Sequence, residues 1–155
     1  MRLNLRQNLK YRVLTLVAAT AVLAGSSLTL GADGAAAADW TFKKSAVSSN
    51  GSFSIGAYNN GTYAGAMVWN ADPITSTGIP GDAFQVVDRL SDGWGMEATM
   101  IIPVTGRVAT TRGHAAVYYS PWNTGDLRED TQVSIQLCAV AGDRKVCSAA
   151  YSGHA

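Results

Sequence analysis

Residues 132–147 read QVSIQLCAVAGDRKVC, and this stretch decides the fold class. Apolar and polar residues alternate along its first half, which is the period of a β-strand with one buried face. Val133, Ile135, Leu137 and Ala139 share one face, and we expect that face to be core. The opposite face carries glutamines, a serine and one of the chain's two cysteines, and we expect it to be wet or lightly covered.

The second half of the stretch predicts a hairpin closed by a disulfide. Gly142 and Asp143 suit a two-residue turn, with glycine at the first central position of a type II′ turn. Counting outward from that turn sets Cys138 opposite Cys147 at a non-hydrogen-bonded pair, where Cα atoms lie about 4.5 Å apart. That spacing suits a disulfide. A structural zinc site needs about four ligands, and a redox motif more often reads C-x-x-C, so we predict the disulfide Cys138–Cys147.

The rest of the chain after residue 38 is similar in pattern. Short runs rich in β-branched and aromatic residues alternate with turn residues, and no window shows a capped helical period. The sequence therefore predicts an all-β protein. We expect an antiparallel β-sandwich or small barrel of about seven to nine short strands, ending in the disulfide-closed hairpin.

Residues 1–38 have the pattern of a Sec-type secretory signal peptide. Four basic residues precede an apolar run, and Ala36 and Ala38 fit an A-x-A cleavage site before Asp39. A membrane anchor is the alternative, but polar and small residues interrupt and close the apolar run. We expect residues 39–155 to form a single secreted β domain, in an extracellular location whose oxidising conditions favour the disulfide.

The charge balance of the secreted part excludes one class of partner. Residues 1–38 contain four of the 12 basic residues and one of the 11 acidic residues. Eight basic and ten acidic residues remain, a net charge of −2, which is unlike a nucleic-acid-binding protein. We expect an extracellular glycan, a cell-wall component or a protein as the ligand. We expect no nucleic acid, no cofactor and, after signal cleavage, no membrane.

Two stretches of the chain carry a resemblance. Residues 86–98, VVDRLSDGWGMEA, read as a strand, an Asp-Gly turn and a strand. Residues 126–138, DLREDTQVSIQLC, read as an acidic loop that leads into the final cysteine-bearing hairpin. Together they resemble the small secreted actinobacterial (Streptomyces-like) β-sandwich proteins of unknown function. The resemblance implies a fold and implies no activity.

The acids of the central segment are candidate calcium ligands: Asp88, Asp92 and Glu97. If Asp92 and Gly93 closed a strict two-residue hairpin, Asp88 would face Glu97, and the two carboxylates would repel each other. A cation between them would remove the repulsion, and calcium takes such oxygen ligands outside the cell. The other interpretation is an offset or bulged hairpin, with Arg89 as the counter-charge.

His114 is the candidate for catalysis, together with an acid from the central segment. A catalytic histidine needs an orienting acid and a nucleophile, and no serine lies in a G-x-S-x-G motif. The alternative is a loop or strand-edge histidine. The sequence therefore assigns no catalytic residue.

Three aromatic residues are candidate ligand-binding residues: Trp94, Trp122 and Tyr119. Trp94 and Trp122 lie in turns flanked by glycine or proline, where an exposed ring can stack on a sugar or anchor a protein. The alternative is that these tryptophans fold back and close the ends of the sandwich. Trp69, inside an apolar strand, is expected in the core.

These observations favour a secreted, non-catalytic binding or interaction domain whose ligand is a glycan, the cell wall or an extracellular protein. Two alternatives stay open. One is a small secreted hydrolase that uses His114. The other is a secreted protease inhibitor that presents the loop at residues 71–82, ADPITSTGIPGD.

Overall fold

The computed structural model describes residues 38–155, which form ten β-strands and no helix. The signal peptide predicted for residues 1–38 lies outside this part of the chain, apart from Ala38, and stays a prediction. No helix in residues 38–155 is long and apolar enough to cross a membrane. The strands, in chain order, are β1 (Trp40–Lys44), β2 (Phe53–Asn59), β3 (Thr62–Asn70), β4 (Ala83–Asp88), β5 (Gly95–Ile102), β6 (Val108–Thr110), β7 (Tyr118–Tyr119), β8 (Gln132–Ala141), β9 (Arg144–Cys147) and β10 (Tyr151–His154).

The strands form two antiparallel sheets of five strands each, which confirms the predicted all-β fold. The first sheet has the order β1-β2-β3-β4-β7. In the second sheet β8 pairs with β5, β5 pairs with β6, and both β9 and β10 pair with β8. β10 pairs with residues 132–135 and β9 with residues 138–141, so the two short strands share one edge of β8.

The core lies between the inward faces of the two sheets. On each inward face every second residue points into the core, and its large side chains are fully buried. Burying one such side chain stabilises the fold by roughly 1.5–3 kcal/mol. Trp69 is in this core as predicted, and its indole Nε1 donates to the carbonyl oxygen of His154 over 3.0 Å. The largest core side chains are Trp69, Phe84, Ile55, Met67, Met96, Met100, Ile135, Leu137, Val86 and Val133.

The C-terminal hairpin has the predicted register and the predicted disulfide. Cys138 pairs with Cys147, their Cα atoms lie 4.0 Å apart, and the two sulfurs are bonded. The turn has Gly142 at φ +56°, whereas Asp143 has no positive φ, as a type II′ turn requires.

One expectation for β8 is wrong. Val133, Ile135, Leu137 and Ala139 are core as expected, but the opposite face is not wet at Cys138, which is 1 % exposed. β8 has neighbours on both edges, and Cys138 lies between Glu97 of β5 and Cys147 of β9. The side chain of Cys138 is also bonded to Cys147, and Glu97 lies on its other side.

The predicted central hairpin is also wrong. β4 belongs to the first sheet and β5 to the second, so residues 89–94 cross between sheets and do not close a hairpin. Asp88 lies opposite Gly65 on β3, and Glu97 lies opposite Cys138 on β8. The expected repulsion between Asp88 and Glu97 therefore does not arise.

The structure has ten strands and not the expected seven to nine, because the last strand-like run, KVCSAAY at residues 145–151, is split. The chain leaves the β8 edge after Cys147 and returns to it at Tyr151. Ser148 still bonds to Leu137 through its backbone N–H, so residues 149–150 form the break. One predicted strand thus becomes β9 and β10.

Candidate functional site

A cleft of about 280 Å³ opens at one end of the sandwich, and we call it the loop cleft. Three connections meet there: residues 89–94 between β4 and β5, residues 111–117 between β6 and β7, and the 142–143 turn of the disulfide hairpin. Its polar and aromatic side chains include Asp88, Trp94, Arg112 and His114. Sequence reasoning named three of these four, each for a different hypothesis, and the structure brings them together.

Asp88 provides a buried carboxylate to the loop cleft. It is the last residue of β4, it is only 3 % exposed, and its Oδ1 accepts a hydrogen bond from the backbone N–H of Leu90 over 3.2 Å. Its Oδ2 has no hydrogen-bond partner among residues 38–155. Burial raises the pKa of Asp88 above its ordinary value and nearby Asp92 adds to this, while the Leu90 N–H opposes it.

Arg112 brings a fixed guanidinium to the rim of the loop cleft. Its Nε donates to Glu97 Oε2 over 2.9 Å, and its Nη1 donates to the carbonyl oxygen of Gly142 over 2.9 Å. Lys145 of β9 donates to the other oxygen of Glu97, also over 2.9 Å. These contacts hold the loop after β6, strand β5 and the disulfide hairpin in one arrangement.

Glu97 is the acid at the centre of this arrangement. Burial raises its pKa, but the hydrogen bonds and charges of Lys145 and Arg112 together outweigh burial and lower the pKa below its ordinary value. Glu97 is therefore an anion that is already paired, and it is not among the residues lining the loop cleft.

His114 lies in the exposed part of the loop after β6. Its ring stacks on that of Tyr118, with the centroids 3.7 Å apart and the planes 3° from parallel. Tyr118 lies opposite Asp88 where β7 pairs with β4. The imidazole and the buried carboxylate are thus on neighbouring elements of one cleft.

Thr111 fixes the start of the loop that carries Arg112 and His114. It is 1 % exposed, and its Oγ1 accepts a hydrogen bond from the backbone N–H of Met96 over 2.8 Å. A Cβ at Gly95 would lie 2.9 Å from that oxygen, so only glycine permits this close approach between β5 and the loop.

Trp94 both lines the loop cleft and closes this end of the core. Its backbone N–H donates to Asp92 Oδ1, and its ring packs on Trp40 with the centroids 5.4 Å apart. The guanidinium of Arg144 lies over the indole, 4.7 Å from the ring centroid. Trp94 therefore combines the two roles that were set out as alternatives.

The other two candidate aromatics lie elsewhere. Trp122 lines a separate, shallower depression of about 230 Å³ beside β6. Tyr119 is 52 % exposed on β7, where its hydroxyl accepts a hydrogen bond from Arg89 Nη1 over 2.9 Å. The structure does not bring Trp94, Trp122 and Tyr119 into one pocket.

The three candidate calcium ligands are likewise not gathered. The oxygens of Asp92 accept hydrogen bonds from the Trp94 N–H and from Asn59 Nδ2, and those of Glu97 are held by Arg112 and Lys145. Within residues 38–155, no group of three His, Cys, Asp or Glu side chains is placed to hold a metal ion.

The loop at residues 71–82, considered above as an inhibitory segment, folds as a small exposed hairpin. Ile74 and Ile79 form its bridge, and both the Asp72 and Pro80 carbonyl oxygens accept hydrogen bonds from the Asn70 side chain. It lies outside the loop cleft.

Sequence reasoning missed the role of Arg112 and of the Gly142 carbonyl. Both depend on contacts between residues 30 positions apart, and no local pattern marks them.

In comparisons with known proteins, no family model, no curated protein and no solved structure matches this chain at a significant level.

Proposed function

We propose that this chain is a secreted, non-catalytic binding domain that holds a saccharide unit of an extracellular or cell-wall polysaccharide in the loop cleft. The observation that carries the proposal is Asp88, a carboxylate at an open cleft whose Oδ2 bonds to no group of residues 38–155. Oδ2 is not among the buried atoms that lack a partner, so it is open to solvent and free to accept a hydrogen bond from a ligand.

The other side chains of the loop cleft suit the same ligand. Sugar hydroxyls both donate and accept hydrogen bonds, so a carboxylate acceptor and a guanidinium donor serve them together. Trp94 adds apolar ring surface to the lining of the cleft, while Arg144 lies over its indole. Ligand sites commonly measure about 300–1,000 Å³, so a cleft of about 280 Å³ suits one small unit.

The disulfide is consistent with the extracellular location proposed here. Disulfides form and persist in oxidising compartments, and Cys138 and Cys147 are bonded in this fold. The predicted signal peptide supports the same location. A saccharide of the cell surface or its surroundings is a ligand that such a location supplies.

The test is a titration with monosaccharides, oligosaccharides and soluble cell-wall fractions, in which tryptophan fluorescence and calorimetry measure binding. We expect Asp88→Asn to weaken binding at least tenfold, because the amide oxygen still accepts from the Leu90 N–H while an NH2 donor replaces the charged Oδ2 acceptor at the cleft. Asp126→Asn is the matched control, since it removes one exposed acid outside the cleft. Equal affinity of Asp88→Asn and the native chain would refute the proposal.

A second candidate function is a small secreted hydrolase, and one observation favours it. His114 and Asp88 line the same cleft, and the raised pKa of Asp88 is what a general acid requires. Glycosidases generally use two carboxylates, and Asp88 is the one carboxylate lining the cleft in residues 38–155. Turnover of a bound saccharide that is lost in both His114→Ala and Asp88→Asn would favour the hydrolase. Binding without turnover favours the binding domain.

A further inference from the structure

The outward face of the first sheet carries a cluster of three tyrosines and two cations, which we call the tyrosine face: Tyr58, Tyr63, Tyr119, Lys43 and Arg89. Because Ile55 and Ala57 point into the core, the period of two turns Tyr58 outward. Tyr63 lies directly opposite Tyr58 on β3, and the two rings meet edge to face with their centroids 5.6 Å apart.

The two cations are in direct contact with the tyrosines. Lys43 Nζ lies over the ring of Tyr58, 4.8 Å from its centroid, and Arg89 Nη1 donates to the hydroxyl of Tyr119 over 2.9 Å. Arg89 lies beside Tyr63 as well, because its backbone N–H donates to the carbonyl oxygen of Ala64 over 2.8 Å. Burial raises the pKa of Tyr63, and the positive charge of Arg89 opposes this. The face is therefore one connected cluster.

A shallow groove of about 320 Å³ lies on the β1–β3 part of this face, and Arg89 and Tyr119 lie beyond its lining. Ser54, Gly56 and Ala66 are the small residues that line it between Lys43 and the pair Tyr58 and Tyr63. Lys43 Nζ occupies the space over the Tyr58 ring, whereas Tyr63 is 42 % exposed and offers its ring surface to a ligand.

The charge of the face has one sign. Arg89 follows β4 directly, and no acid occurs among the outward-facing residues of the described strands of the first sheet. Those residues are Thr41, Lys43, Ser54, Gly56, Tyr58, Tyr63, Ala66, Val68, Gln85, Val87 and Tyr119. A cationic, aromatic and acid-free face is complementary to an anionic ligand.

The ligand must also be extended. Lys43 is on β1 and Arg89 follows β4, three strand spacings away, which is at least about 14 Å. A single small molecule does not reach both cations, whereas a polymer laid across the strands does. Two cations are few compared with the roughly 6–10 phosphate contacts of a nucleic-acid complex.

We propose that the tyrosine face is a second binding site, which takes a carboxylate-bearing polysaccharide of the polyuronate class. A sugar ring stacks on Tyr63, and carboxylates pair with Lys43 and Arg89. The site shares no residue with the loop cleft and does not depend on the function proposed for it.

Affinity electrophoresis and calorimetry with four polymers test this site: polygalacturonate, dextran sulfate, neutral dextran and oligothymidylate. We expect polygalacturonate to bind most tightly and its affinity to fall as salt rises. We expect Tyr63→Ala and Arg89→Gln each to weaken that binding at least tenfold. Arg128→Gln, which removes an exposed cation elsewhere, should leave it unchanged.

Two further variants keep the outcome clear. Arg89→Lys retains the charge and should bind more tightly than Arg89→Gln, which separates a charge effect from a folding defect. Asp88→Asn should keep the salt-dependent part of polygalacturonate binding, which Arg89→Gln removes, so failure of the cleft and failure of this face are distinguishable. Equal binding of neutral dextran and polygalacturonate, tighter binding of dextran sulfate or oligothymidylate, or full affinity in Tyr63→Ala and Arg89→Gln would overturn the proposal.

Discussion

Arg112 Nη1 donates to the carbonyl oxygen of Gly142 over 2.9 Å, and this bond fastens the loop after β6 to the turn of the disulfide hairpin. The same guanidinium holds Glu97, which also holds Lys145 of the hairpin. One rim of the loop cleft is therefore positioned by the strands that the disulfide joins. The disulfide is a structural support for the candidate site, although it is not part of its chemistry.

The first prediction concerns that support. Replacing both cysteines, as Cys138→Ala with Cys147→Ala, should lower the free energy of unfolding by about 2 kcal/mol, because the short ring constrains the unfolded chain only modestly. Urea unfolding followed by tryptophan fluorescence measures the change. A reducing agent should destabilise the native chain and leave the double variant unaffected. Two free thiols in the native protein, found by alkylation and intact mass, would contradict the prediction.

The second prediction concerns the ion pairs of Glu97. The pKa of Glu97 is lowered from its ordinary value of 4.5, so the ion pairs stabilise the fold fully at pH values above 4.5. This stabilisation is lost as the pH falls through the pKa of the folded state. Glu97→Gln should therefore cost about 0.5–1 kcal/mol at pH 7, since Arg112 and Lys145 are partly exposed. We expect this difference to shrink as the pH falls below 4.5. A constant difference from pH 7 to pH 3, measured by urea unfolding, would argue against it.

The third prediction concerns Asp88 and has the opposite sign. A raised pKa means that the folded state binds the proton more tightly than the unfolded state does, so stability falls as pH rises from 3.8 through the native pKa. Asp88→Asn lacks this loss and should be at least as stable as the native chain at pH 7. Thermal melts at pH 3 and pH 7 test this. Lower stability of Asp88→Asn than of the native chain at pH 7 would contradict the prediction, and the melts at pH 3 show the difference between the two when Asp88 is protonated.

The fourth prediction concerns the bond that fixes the loop after β6. Thr111→Val removes the acceptor of the buried Met96 N–H and should cost about 1–3 kcal/mol. Thr111→Ser keeps the hydroxyl and should cost less, which makes it the matched control. Denaturant unfolding of both variants gives the comparison. Equal losses in the two variants would show that the methyl group, and not the hydrogen bond, matters here.

The final hairpin could be predicted from the sequence because every signal for it is local. Alternation from Val133 to Ala139 gives the strand, Gly142 gives the turn, and counting gives the cysteine pair. The central segment could not be predicted in the same way. Asp92 and Gly93 mark a turn, but a turn does not reveal whether the strands on either side pair with each other or lie in different sheets.

The two candidate sites show the same limit. Asp88, Trp94 and His114 could each be named from residue type, but the loop cleft depends on three distant loops meeting. Tyr58 could have been placed outward from its alternation with Ile55, since both lie in one strand. Its contact with Tyr63 is harder to predict, because the register shifts between residues 57 and 58.

Both sheets hold their longest strands inside and their shortest at the edges. β3 and β8 have nine and ten residues, whereas the edge strands β6 and β7 have three and two. Beyond β7, residues 120–123 cover the rest of the β4 edge through backbone bonds to Phe84 and Val86. The edge strand β1 carries two lysines, and β9 and β10 interrupt each other on β8. Within residues 38–155 another copy finds no long, uncharged strand edge to pair with, and we expect this folded part to resist edge-to-edge aggregation at high concentration.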